Sequence, residues 1–173
     1  MKRLAVVILI LIVSLGLGVL WLKREENLMQ LTSVFSNNQA LPGKFTCDGE
    51  NVNPELNISG VPKEAKSLSL IVDDPDAPSG DFVHWVIWNI GAETAQIKEN
   101  SLPAGAVAGK NDFGKNEYGG PCPPSGTHRY QFKVYALDTK LDLTANAGKQ
   151  ELLAAMNGHI LSQAMLVGNY GKR

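Results

Sequence analysis

The sequence is poor in several things, and each shortage excludes something. Cysteine occurs twice in 173 residues, so no paired C-x-x-C motif exists. Neither charge sign dominates: 16 Lys and Arg stand against 17 Asp and Glu, a formal net charge of −1. A nucleic-acid binder carries a basic balance or stripe, and this chain has neither. No tract or period repeats, which excludes collagen-like and low-complexity architectures. G-x-S-x-G, Walker A and H-E-x-x-H are all missing. What remains is a chain of one-domain length, 44% hydrophobic, with enough apolar residues for a packed core. Its 17 glycines and 9 prolines announce many turns.

One long apolar run is present. Residues 4–22 carry no charge. As a helix they would rise about 28 Å, close to the ~30 Å hydrocarbon core of a bilayer. Residues 1–26 are therefore expected to be a transmembrane anchor, with the N-terminus inside and the domain, residues 27–173, extracytoplasmic. The alternative is a cleaved signal peptide, Gly16-Leu17-Gly18 supplying the small residues of a cleavage site, and a secreted or periplasmic product. Without residues 1–26 the chain carries a net charge of −3, so bulk charge does not draw it to anionic lipid.

Within the domain, residues 67–72, 82–90, 130–137 and, more weakly, 160–167 read as strands, separated by Pro/Gly/Asp/Asn clusters. Residues 149–158 read as the one convincing helix, with Leu152, Leu153 and Met156 at helical spacing and Gly158 as its stop. Strands without alternating helices predict antiparallel sheets in a sandwich or partly closed barrel, with one or two short helices.

Three clusters can carry chemistry. Asp73-Asp74-Pro75-Asp76-Ala77-Pro78 follows an apolar strand, and its prolines stiffen the loop. It serves equally as an ordinary surface turn or as a set of carboxylates that orient a histidine or bind a metal. His84 lies in an apolar strand, where period-two alternation groups it with Val86 and Trp88, opposite Val83, Trp85 and Ile87. It is either a satisfied core residue or a partner of the Asp74/Asp76 loop across a hairpin. Finally, a rigid loop from Gly119 to Gly126 leads into a strand on which His128 and Tyr130 share a face, while Arg129 points away toward a salt bridge. Histidine, tyrosine and free loop amides at a strand mouth suit an anion.

These segments, together with Thr46-Cys47-Asp48-Gly49-Glu50 and Asn111-Asp112-Phe113-Gly114, resemble the phosphatidylethanolamine-binding protein family, also called Raf-kinase-inhibitor-like, in its short bacterial and archaeal branch. Asp-Pro-Asp-Ala-Pro followed by Gly-…-Pro-Pro-x-Gly-…-His-Arg-Tyr carries the likeness. The resemblance implies a mainly β fold of antiparallel Greek-key sheets with a small anion pocket at one end. It implies pocket residues Asp74, Asp76, His84, Cys122, Pro124, His128 and Tyr130. Eukaryotic members often have glycine where Cys122 stands and close the pocket with a tyrosine-bearing C-terminal helix. Here a more open pocket is implied, with Tyr170 not counted as a ligand.

The implied occupants are a phosphorylated small molecule, a phospholipid headgroup or another anion, held without catalysis and without a cofactor. Inhibition of a kinase or serine protease is a further implied role. The competing expectation is a divalent-metal hydrolase using Asp74, Asp76, His84 and His128. Cys47 and Cys122 are expected to form a disulfide: the count is even, both lie in irregular loops, and the N-terminal segment points to an oxidising compartment.

Overall fold

The computed structural model describes residues 28–171. Among these residues nine strands form two sheets. β1 (Gln30–Ser33), β3 (Leu56–Ser59) and β6 (Gln96–Ile97) make a three-stranded antiparallel sheet. The larger sheet has the order β2-β9-β8-β4-β5-β7, formed by β2 (Gln39–Ala40), β9 (Ile160–Gly171), β8 (Thr127–Leu137), β4 (Ser67–Asp74), β5 (Phe82–Gly91) and β7 (Val107–Ala108). The expectation of purely antiparallel sheets fails at one edge, where β2 runs parallel to β9. The chain reaches that edge from the other sheet, so no hairpin forces β2 to reverse. Among the described residues the helices are α1 (Lys149–Met156) and one 3-10 turn, Gly43–Phe45. No helix among the described residues is long and apolar enough to cross a membrane, and the anchor expected over residues 1–26 lies outside those residues.

All four strands legible in the sequence are present and run longer than their apolar patterns, because polar ends such as Asp73, Asp74 and Thr127 still pair. Alternation assigns their faces. Leu68, Leu70, Val72, Phe132 and Val134 meet Leu31, Leu56, Ile58 and Ile97 of the small sheet in the core of the sandwich. On the opposite face Ile71, Val86, Trp88, Tyr135 and Leu137 are covered by Leu152 and Met156 of α1. The segment after β7 passes close over Trp88: a side chain at Gly109 would come within 2.4 Å of the indole ring and 2.5 Å of the Ala147 carbonyl, so glycine is required there. Asn157 caps α1, and Gly158, at φ +81°, turns the chain away as the sequence implies.

Asp73 is fully buried on the α1 face. It accepts hydrogen bonds from Lys133 (2.8 Å) and Lys149 (2.5 Å), and Lys149 also pairs with Asp81. This ion cluster ties the start of α1 to the centre of the sheet. Removing the buried acid strands its lysines, so Asp73→Ala should destabilise the fold by about 3–5 kcal/mol in urea unfolding. The exposed Asp138–His159 pair is the control, and Asp138→Ala should change stability by about 1 kcal/mol or less.

Candidate functional site

Successive residues of a strand face opposite ways, so β4 sends Asp73 toward α1 and Asp74 toward the sandwich side. His128 and Tyr130 of β8 share that second face. The Asp74 carboxylate accepts the Nδ1 proton of His128 at 2.7 Å, and both side chains are buried. Its other oxygen accepts the Asp76 backbone N–H at 2.9 Å, which closes the loop after β4 into a tight turn.

His84 reaches the same place through a break in register. β4 pairs with β5 as Val72↔Trp85 and then Asp73↔Val83, leaving His84 as an extra residue. Val83 consequently joins Val86 and Trp88 in the α1-side core, while the His84 ring packs edge-on against Tyr130, centroids 5.1 Å apart. The regular alternation that would group His84 with Val86 and Trp88 is overturned by this bulge.

The segment between β7 and β8 satisfies the backbone groups that the bulge frees. Gly119 N–H and Asn111 Nδ2 donate to the His84 carbonyl (3.0 and 3.3 Å). Val83 exchanges hydrogen bonds with Asp112: its N–H donates to Oδ2 at 2.7 Å, and its carbonyl accepts the Asp112 N–H at 3.0 Å. In return His84 Nδ1 donates to the Gly119 carbonyl at 2.6 Å. A carbonyl only accepts, so the ring proton sits on Nδ1, and Nε2 is the nitrogen left without a protein partner.

These groups line a cavity of about 300 Å³. Asp74, His84, Cys122, Pro124, His128 and Tyr130, six of the seven residues in the expected set, border it. Asp76 does not. Its carboxylate turns to Arg129, accepting from the backbone N–H, Nε and a terminal guanidinium nitrogen at 2.7–2.9 Å. Those hydrogen bonds pull its pKa down to about 2. With Asp76 engaged elsewhere, the four-residue metal set is not assembled, and among the described residues no group of three His, Cys, Asp or Glu is placed to hold a metal ion. Tyr170 stands apart as well: its hydroxyl donates to Asp48 at 2.5 Å beside a different cavity, lined by Pro42, Gly43 and Thr127.

The sequence reading missed the apolar wall. Pro78, Phe82, Phe113 and Pro123 line the same cavity, and the Phe82 and Phe113 rings pack edge-on to each other and to His84 at 4.9–5.5 Å. The signal for Phe113 was its place in a turn ending in Gly114, an aromatic with no strand to bury it; it is 46% exposed. Cys47 and Cys122 are bonded, their Cα atoms 5.4 Å apart, which pins the Pro-rich wall to the loop after the 3-10 turn.

Two electrostatic consequences follow. Burial pushes the His84 pKa below 6.5, against the opposing pull of the Gly119 carbonyl and nearby aspartates, so the ring is neutral at pH 7. Burial, with the Asp74 carboxylate beside it, holds the Tyr130 phenol far above its ordinary value, so it stays protonated as a donor. That hydroxyl is buried and has no hydrogen-bond partner in the protein.

The model of the phosphatidylethanolamine-binding protein family matches residues 31–171. The chain belongs to that family. A UPF0098 protein of Methanothermobacter thermautotrophicus is 53% identical over 144 residues, covering 80% of this chain and 95% of that protein. The UPF0098 protein PH1269 of Pyrococcus horikoshii is 44% identical, covering 100% of this chain and 91% of its own. Among solved structures, a phosphatidylethanolamine-binding protein homologue from Chlamydia trachomatis superposes with a TM-score of 0.82 at 43% identity, covering 85% of this chain and 99% of that one. Escherichia coli YbcL, described as a member of the mammalian family, superposes with a TM-score of 0.78 at 34% identity, covering 84% and 99%. Family membership makes this a ligand-binding or regulatory protein of the bacterial and archaeal branch.

The buried imidazole has a measurable effect on stability. The unfolded chain protonates His84 near pH 6.5, whereas the folded chain resists until lower pH. Below about pH 6.5 the unfolded state therefore binds more protons, and stability falls as acid is added. His84→Gln should flatten that fall as the pH drops below about 6.5, as read from urea midpoints. An unchanged slope would place the titration elsewhere.

Proposed function

We propose that the protein is a non-enzymatic binder of a phosphate-bearing group, held in the cavity between His84, His128 and Tyr130. The observation that carries this reading is the Tyr130 hydroxyl, a buried donor without a protein partner, set beside two imidazoles whose Nε2 atoms are also unengaged. A buried hydroxyl left unsatisfied costs about 1–3 kcal/mol, and an anionic oxygen is the acceptor that removes that cost. Asp74 borders the cavity, but its carboxylate is engaged by His128 Nδ1, and that bond aims the other ring nitrogen, Nε2, at the guest. The apolar wall of Pro78, Phe82, Phe113 and Pro123 suits a carbon substituent on the phosphate, as in a lipid headgroup or a phosphorylated side chain. Regulation of a kinase or serine protease is the cellular role we attach to this pocket. The Cys47–Cys122 bridge supports an extracytoplasmic site of action, held at a membrane by residues 1–26.

Calorimetric titration with inorganic phosphate, phosphoethanolamine and phosphotyrosine tests the reading and ranks the sources of the phosphate. His84→Ala and His128→Ala should each weaken binding by about tenfold or more, since each removes a hydrogen bond to a charged group. Tyr130→Phe should do the same with little change in fold. Unchanged affinity in all three variants would remove the assignment.

A pH series with sulfate, which stays dianionic, adds a signature. An anion at Nε2 favours protonated His84, so complex formation takes up a proton. Affinity should therefore rise as pH falls from about 8 toward about 5.5, and His84→Gln should weaken that dependence.

A further inference from the structure

The disulfide occupies a particular place relative to the cavity. Cys122 forms part of the anion cavity wall, and on its far side a second cavity of about 340 Å³ is lined by both Cys47 and Cys122, with Phe113 and Cys122 shared between the two. Both cysteines are exposed. An exposed disulfide beside an open cavity is within reach of a thiol, unlike one sealed in a core.

The bridged loop is also the one that sets the site's donors. Gly119, three residues before Cys122, accepts the His84 Nδ1 proton and donates to the His84 carbonyl. Gly120 lies so close to the other loop that a side chain there would meet the Phe45 carbonyl at 2.5 Å. Apart from the bridge, this contact is held by three hydrogen bonds: Gly120 N–H to Asn51 Oδ1 (2.7 Å), Cys47 N–H to the Pro121 carbonyl (3.0 Å) and the Tyr118 hydroxyl to the Phe45 carbonyl (3.0 Å).

We propose that the Cys47–Cys122 disulfide is a redox switch for the anion pocket: bridged, the pocket is assembled; reduced, it is loosened and its affinity falls. The inference rests on the anion-binding reading. The reductant is a dithiol. Its thiolate attacks Cys47 Sγ from the second cavity, the Cys47–Cys122 bond breaks, and a mixed disulfide forms on Cys47 as Cys122 leaves as a thiolate and takes up a proton. The second thiol of the reductant then attacks the mixed disulfide and releases Cys47 as a thiol. Protein disulfide and dithiol thus become protein dithiol and a cyclic disulfide, a two-electron exchange. Two effects act on the pocket in the same direction. The segment from Gly119 to Cys122 loses its covalent tether, which frees the carbonyl that fixes the His84 tautomer. A thiol also takes a place in the wall, and in its thiolate form it repels the anion.

The test uses the full chain in detergent, with sulfate and phosphoethanolamine as probes. Affinity should fall by about tenfold on reduction with dithiothreitol and return on reoxidation, with cooperative unfolding preserved throughout. Cys47→Ser/Cys122→Ser should match the reduced protein and ignore dithiothreitol. Affinity within about twofold in the reduced, folded protein would overturn the switch. So would loss of the fold on reduction, because a switch needs two folded states. If the oxidised protein binds neither probe, the anion reading itself fails. The NMR titration of the His84 ring then decides the coupling: a pKa that shifts on reduction, as the Gly119 carbonyl is released, supports it, and an unchanged one overturns it.

Discussion

The site depends on one extra residue in β5. Regular pairing with β4 would turn His84 toward α1, into a core already filled by Val86 and Trp88. The bulge places it instead above Tyr130, and it does so only because the segment from Asn111 to Gly119 supplies hydrogen bonds to Val83 and His84 that the ladder no longer provides. Strand, bulge and loop form one unit. The loop satisfies the bulge, the bulge presents His84, and the His84 ring bonds back to Gly119 of the same loop. Substitutions at Asn111 or Asp112 therefore act on the pocket without touching it.

Three aspartates within four residues would repel one another if they faced the same way. Strand alternation and a turn separate them, and each finds its own cation or proton donor: Asp73 takes Lys133 and Lys149, Asp74 takes His128, and Asp76 takes Arg129. Only the middle one reaches the pocket, where it borders the cavity and holds the His128 ring. The acid-rich loop is compatible with an anion site for that reason: two of its carboxylates are occupied elsewhere, and the third makes a histidine ring nitrogen point inward.

Much of this was legible in the sequence, for identifiable reasons. Apolar alternation located the four long strands and the faces of β8, because regular pairing obeys a strict two-residue period. His128 and Tyr130 fell on one face for that reason. The same rule misplaced His84, since a bulge is a matter of which partner residue lies opposite, and no single strand carries that information. Asp76 was drawn into the pocket by its nearness to Asp74, while Arg129, correctly expected to point away, turned out to be the group that takes it. The short strands β2, β6 and β7 and the parallel β2–β9 pair left no pattern, because two residues are too few to show a period. Phe113 went unseen because it contributes from a turn, where exposure rather than periodicity marks a residue.

The pocket also explains why an apolar wall suits a charged guest. Phe82, Phe113 and the prolines put apolar groups beside the polar ones, so a hydrogen bond made there acts in a medium of lower dielectric than water and is stronger than its counterpart in water. The same surroundings carry a cost in stability. Tyr130 keeps a hydroxyl without a partner, and His84 is held neutral against its ordinary titration. The sandwich core and the Asp73 ion cluster lie on either side of this site and offset that cost. The chain-entropy effect of a bridge closing a 75-residue separation, about 4 kcal/mol, adds to them. The side chains are thus held in place before any ligand arrives, His84 by Gly119 and His128 by Asp74, so little of the binding energy is spent on ordering the site.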